Sequence, residues 1–396
     1  MSRHELLGQL NTLHQMMNQL PAHVPEEEAY REWHPRLAPL AWYLGRAVYL
    51  ETWWVQELVQ GDSGMTGRVR HLFGGNANPP SAGQWRQLPP LDHLLNWALE
   101  LQERNLTALA NPATLGDHPL VAEQRLLPLV LQDQALLYEQ MLMVLAQRQL
   151  QLPIRYRVRT PLTARPPSHD LVGMAQGHYR IGALDDPAAR DNELPPQVVQ
   201  LSSFRIDRLP VANGAWLGFM EAGGYDDPSL WDEAGWEWRT RERIGAPDHW
   251  RRDADGHWYG IGINGPFDLD PEEAVMGISR HEATAYARWV ATSGDGLAGA
   301  VVQHEYQWEI AARTRAISGY GRVWEWCANG FHPYDGYRPP PWEEAVTREF
   351  DHRHHTLRGA GLHTQRICRR PSIRLPALPE ARHLFSGTRL VFPYLG

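Results

Sequence analysis

Up to about residue 150, apolar positions recur at three- and four-residue spacing. They do so near 3–20, 36–60, 90–110 and 120–149, with the breakers PAHVP, GGNANPPSAG and NPATLGDHP between them. That rhythm predicts four long amphipathic helices forming a bundle, in which any site is built from side chains facing inward. From 151 to 197 the rhythm dissolves into proline-rich stretches such as QLPIRYRVRTPLTARPPSHD, read as a connection or strap. Beyond 198 the texture changes again. Short alternating runs (VVQLSSFRI, HWYGIGI, TLRGAGL, TRLVF) predict strands, and SRHEATAYARWVA and HEYQWEIAART predict helices. Loops dense in Gly, Trp and Pro separate them, which gives an α+β class with much irregular backbone.

Composition narrows the partners. At 396 residues, 43% hydrophobic and 21% charged, the chain has ordinary globular proportions and room for two cores. A formal net charge of -8 supplies no basic face for nucleic acid or an anionic membrane, so neither is expected as a partner. No apolar run is long enough for a membrane span, and the first 20 residues lack the pattern of a secretory signal. Two cysteines, Cys327 and Cys368, lack CxxC spacing, so a reducing cytoplasm is the expected compartment. Seventeen tryptophans point to aromatic plugs in a loop-rich fold, or to an aromatic pocket.

The second half carries an ordered series of landmarks: RIDRLPVANGAWLGFMEAGGYDDPSLWDEAGWEW from 205, VMGISRHEATAYARWV from 275, HEYQWEIAA from 304, GRVWEWCANGF from 321, LRGAG from 357, PSIR from 371 and FSGTRLVF from 385. Together they resemble the formylglycine-generating-enzyme-like domain, a variant of the C-type lectin fold, over roughly 198–396. The formylglycine enzymes use a cysteine pair, and Cys368 has no companion here, so that activity is not expected. Ahead of it, HPRLAPLAWYLGRAVYLETWW from 34 and LQDQALLYEQMLMVLAQR from 131 resemble the metal-bearing helices of a DinB-like four-helix bundle. This pairing of domains resembles the ergothioneine-type sulfoxide synthases and selenoneine synthases. The organisation expected is a bundle over 1–150, a strap over 151–197 and the lectin-type domain over 198–396.

That resemblance implies a non-haem iron(II) site held by three histidines, with oxygen chemistry that joins a thiol or selenosugar to hercynine. At the matching positions stand Arg46, Asp133 and Leu137. Leucine has no lone pair and a protonated guanidinium repels a cation, so no metal and no cofactor is expected. Arg46 and Asp133 are expected to pair in the old metal position, with Leu137 filling the remaining space, because either charge buried alone would cost roughly 3–5 kcal/mol. Pro376, Ala377 and Ala381 stand where relatives carry thiol-substrate contacts. The expectation is a metal-free shell that binds a small molecule in the interdomain cleft, or a protein partner. The alternatives are iron at a displaced site and metal-independent acid–base catalysis.

Candidate residues follow from both readings. Tyr334 and Tyr337 match the loop from which relatives present a catalytic tyrosine, and are candidates for catalysis and substrate binding. Glu51 and Glu139 are candidate acids or bases on the bundle helices, set against a plain role in polar networks. Tyr334, Tyr337, Trp324 and Trp326 could cage a trimethylammonium group, although the two tryptophans also read as core. His352, His354 and His355 in DHRHHT, and the pair His34 and His93, are candidate metal donors, weighed against solvated-loop and capping roles.

Overall fold

The computed structural model describes residues 2–75, 85–294 and 296–394, so most of the breaker GGNANPPSAG lies outside the described residues. Four long helices are present: α1 (Arg3–Ala22), α2 (Leu40–Thr52), α3 (Leu91–Ala110) and α4 (Leu126–Gln151). Each begins where local chemistry allows. Ser2 and Glu5 form a reciprocal capping box for α1, satisfying N–H groups that have no intrahelical partner. The predicted 36–60 helix starts only at Leu40, because Pro39 cannot continue a helical ladder behind it. It then widens into a π-helical segment, Trp53–Val59. The predicted 120–149 helix divides into Pro119–Ala122 and α4, since Gln124 sits at φ 57 between them.

Helix α1 packs on α3 and α4, and α2 packs on the same two. Every residue of α2 is buried, as expected for a helix covered on all sides. Its closest contact depends on Gly45: a Cβ there would meet Phe73, from the short helix Thr66–Phe73, at 2.2 Å. Among the described residues no helix is long and apolar enough to cross a membrane.

The remainder is mixed helix and sheet. One four-stranded sheet has the order β1-β4-β13-β8, built from Leu171–Met174, Phe204–Asp207, Leu390–Pro393 and Val301–Val302. A second has the order β11-β10-β9-β12, from Leu375–Ala377, His355–Gly359, Trp324–Gly330 and Ser386–Thr388. Its pairings are antiparallel except β12 with β9. β2 (Gly177–Ile181) pairs with β3 (Gln197–Leu201), and β5 (Trp250–Arg252), β6 (Trp258–Gly262) and β7 (Gly265–Asp268) make a meander. Helices α5 (Arg280–Ala291) and α6 (Glu305–Arg313) begin at the capping boxes Ser279/Glu282 and His304/Gln307. The stretch 151–197 is therefore more than a connection, since β1 and β2 pair into the sheets. Runs of four or five residues are too short for periodicity to resolve.

The sequence landmarks meet in two buried networks of charge. Arg358, Arg374 and Arg389 are almost fully enclosed. Arg358 reaches Glu305 at 2.7 Å and Glu309 at 2.9 Å, Arg374 reaches Glu305 at 2.7 Å, and Arg389 reaches Glu325 at 2.9 Å. Guanidinium and carboxylate are tolerated there because each satisfies the other, and removing one partner would strand a buried charge. One apolar core runs across both parts, from Leu10 and Met17 through Trp54 and Met141 to Trp324 and Phe385.

Candidate functional site

Between the helical part and the mixed part lies a cavity of about 370 Å³. Helix α2 supplies Trp42, Tyr43 and Arg46 to its wall, and α4 supplies Asp133, Leu137 and Glu139. Asp133 and Leu137 share a face because four residues make about one helical turn. The opposite wall comes from Trp324, Leu357 and the 375–384 segment, including Pro376, Ala377, Ala381 and His383. Arg190 and the loop 339–349 close the rim through Glu344 to Thr347. The structure thus brings Arg46, Asp133, Leu137 and Glu139 together on one wall.

The expected ion pair between Arg46 and Asp133 is not formed. Arg46 donates from Nη1 to the Phe73 carbonyl and to Glu344 Oε2, the latter at 3.1 Å. Asp133 accepts from Arg190 Nη1 at 2.8 Å and from the Trp54 indole at 2.8 Å. Each charge found a partner supplied from another part of the chain, and the partly buried Leu137 leaves the cavity open rather than filling it. These partners, Glu344 and Arg190, are missed by sequence reasoning: Glu344 lies 298 residues from Arg46, and no motif marks either one.

Glu139 is buried on the cavity wall, accepting from Trp324 Nε1 at 2.8 Å and from the Thr364 hydroxyl at 2.8 Å. Burial raises its carboxyl to about 7 against the pull of those two donors, poising it between acid and base near neutrality. Glu51 is elsewhere. It sits inside the helical part, 2.6 Å from His14 Nε2 and accepting from Asn105 Nδ2 at 3.3 Å, and is not among the cavity-lining residues.

The tyrosines also part from the cavity. Tyr334 is buried in a separate apolar cluster, its hydroxyl accepting from Arg358 at 3.0 Å while Arg374 stacks over its ring at 4.2 Å. Burial pushes its phenol well above the ordinary range. Tyr337 donates to Asp191 Oδ2 at 2.7 Å, and Asp191 in turn accepts the Thr347 N–H at 2.8 Å. Its role is to hold the rim loop. Trp326 donates to the Ile278 carbonyl in the core, so of the four aromatic cage candidates only Trp324 lines the cavity.

The histidine candidates do not assemble a metal set. His34 lies against His383 with ring centroids 4.4 Å apart and the rings tilted by 33°, whereas His93 is exposed beside Asp92. Desolvation lowers His34 to about 4 and His383 well below its ordinary value. In DHRHHT, His354 bonds Asp351 at 2.9 Å, His352 lies beside His332, and His355 is lowered to about 4, chiefly by burial. Among the described residues, only Asp253, Asp255 and His257 place three donor atoms within 4.8 Å of one another. Asp253 there caps the N–H groups of Val158, Asp255 and His257, which explains the cluster as a turn.

The cavity wall does not fit a ferrous ion either. Leu137 and Arg46 offer no lone pair, and both oxygens of Asp133 are engaged. Glu139 and Glu344 are likewise committed to donors, leaving no convergent set of free oxygens or imidazoles among the described residues.

Residues 159–320 match the FGE-sulfatase family, described as a sulfatase-modifying factor enzyme 1-like domain. The chain carries an FGE-like domain. It is 30% identical over 261 residues to a hercynine oxygenase of Mycobacterium tuberculosis, covering 54% of this chain and 58% of that one. A hercynine oxygenase of Mycolicibacterium smegmatis is 31% identical over 254 residues, with the same coverage. The formylglycine-generating enzyme of Thermomonospora curvata is 30% identical over 158 residues, covering 36% of this chain and 48% of the relative. The chain thus spans little more than half the length of the hercynine oxygenases it matches. The matched stretch ends before the wall opposite Arg46 and Asp133, and of the residues lining the cavity it includes only Arg190 and Asn192.

Proposed function

We propose that this chain is a metal-free relative of the iron-dependent sulfoxide and selenoneine synthases, with a DinB-like bundle ahead of its FGE-like, C-type-lectin-type domain, and that its cavity binds a small molecule. Kinship to proteins named hercynine oxygenase supports the family part of this reading. The observation that carries the metal-free part is the locking of Arg46 to Glu344 and of Asp133 to Arg190 on the cavity wall. Two buried free cysteines fit a reducing, cytoplasmic setting.

A second reading has its own support. Glu139, raised to about 7 on the wall of the cavity, is suited to metal-independent proton transfer to a bound ligand. Elemental analysis after anaerobic loading with ferrous iron tests the primary reading. The expected result is no stoichiometric metal, with iron appearing in the Arg46→His, Asp133→His, Leu137→His triple variant. About one iron per unmodified chain would overturn the reading and put oxygen-dependent C–S or C–Se bond formation at a displaced site in its place.

A further inference from the structure

The contact between Arg46 and Glu344 is geometrically incomplete. Among the described residues Arg46 donates only from Nη1, and Glu344 meets the guanidinium through one oxygen at 3.1 Å. A planar guanidinium is a five-donor fork whose best partner is a carboxylate bound through two parallel hydrogen bonds. Glu344 spreads its acceptance elsewhere, taking the Tyr49 hydroxyl at 3.1 Å and the Gly75 N–H at 3.0 Å. Its side chain and that of Arg46 are only 10% and 9% exposed, so the pair sits away from bulk water.

Glu344 also belongs to a segment with little regular structure. The loop 339–349 pairs with no strand, and its regular structure is a single turn, Glu343–Ala345. Its other end is tied down where Thr347 bonds Asp191 by its N–H at 2.8 Å and its hydroxyl at 2.7 Å. Next to that tie stands Asn192, also on the cavity wall, 3% exposed, with its Oδ1 accepting no hydrogen bond from the described residues. A buried acceptor without a donor is costly, and a ligand N–H or O–H is a natural complement.

We propose that Glu344 is a built-in stand-in for the carboxylate of the cavity's ligand. The ligand is a small organic carboxylate that also carries an N–H or O–H donor, and its binding exchanges its own carboxylate for that of Glu344 on Arg46, freeing the rim loop. The inference rests on the ligand-binding reading above and names the class of ligand for that site.

The test is calorimetric titration with N-acetylglycine, which carries both groups, beside its uncharged amide. Glu344→Ala removes the internal competitor and is expected to bind the acid about tenfold more tightly than the unmodified chain, with the amide inert. Arg46→Met is expected to abolish binding. Should that variant not fold, Arg46→Lys keeps the charge but not the fork and is expected to lose most of the affinity. Trypsin supplies a second readout, because Arg348 is exposed in the loop. Cleavage after Arg348 is expected to accelerate in Glu344→Ala and in the unmodified chain saturated with the acid. Equal affinity in Glu344→Ala and parent, equal binding of acid and amide, or full binding by Arg46→Lys would each overturn the proposal. Iron content of the same preparation separates the two readings: a metal-free chain indifferent to carboxylate refutes only this one, and an iron-bearing chain refutes the metal-free reading.

Discussion

Glu139 on α4 accepts the indole N–H of Trp324 on β9 at 2.8 Å, joining the helical part to the mixed part by a hydrogen bond buried at the edge of the cavity. Two parts that share an apolar core are here also coupled through a titratable group.

That coupling has a signed consequence with pH. Glu139 is raised from 4.5 to about 7, so the fold holds its proton more tightly than the unfolded chain does. Its stabilising contribution is fully present below about 4.5 and is lost as pH rises through about 7, a loss on the order of 3 kcal/mol. Glu139→Gln remains neutral and is expected to lose less melting temperature than the parent between pH 6 and pH 8. Parallel thermal melts at the two pH values decide it, and equal losses would show that another group titrates.

The adjoining pair His34 and His383 has the opposite sign. Both are lowered by burial, His34 to about 4, so their contribution is fully present above about 6.5 and is lost as pH falls through about 4. Arg36 and His249 add positive charge around His383, while Asp248 offsets part of it. His383→Phe preserves an aromatic partner for His34 and removes one proton site. Acid unfolding followed by circular dichroism is expected to have a lower midpoint pH in this variant, and an unmoved midpoint would assign acid sensitivity elsewhere.

Arg190 and Asp133 make a third case. Arg190→Met leaves Asp133 buried with only the Trp54 indole, at a cost of roughly 3 kcal/mol, toward the low end for such pairs because Arg190 is partly exposed. Arg190→Met with Asp133→Leu removes both charges and is expected to recover most of that loss in denaturant titration. A double variant as unstable as the single one would mean that packing by the Arg190 stem, not charge, is what matters.

What was legible in the sequence followed local rules. Periodicity announces α1, α3 and the body of α4, though not the break at Gln124, and Ser279 with Glu282 marks the start of α5. The clustering of Arg46, Asp133 and Leu137 on one wall was legible too, through helical spacing and motif position. The partners were not. Nothing in WYLGR or LQDQALL indicates that a glutamate near 344 or an arginine near 190 will arrive first, because tertiary contact over such separations leaves no periodic trace. Tyr334 was misleading for a related reason: its loop reaches the neighbourhood of the site, but Arg358 and Arg374 hold its ring in a different cluster. Nothing marks His383, because RHLFSG reads as an ordinary loop until His34 is seen packed against it.

The widened turns at Trp53–Val59 shift the angular phase of that helix relative to everything before Thr52. Residues 42–46 keep the α-helical frame that aims Arg46 at the cavity, whereas Trp54, eight residues later and inside the widened segment, reaches Asp133 and meets Trp342 edge-on at 5.9 Å. Any position-by-position superposition of this helix on a uniformly α-helical counterpart therefore slips out of step beyond Thr52, and correspondences drawn on its two sides belong to two different frames.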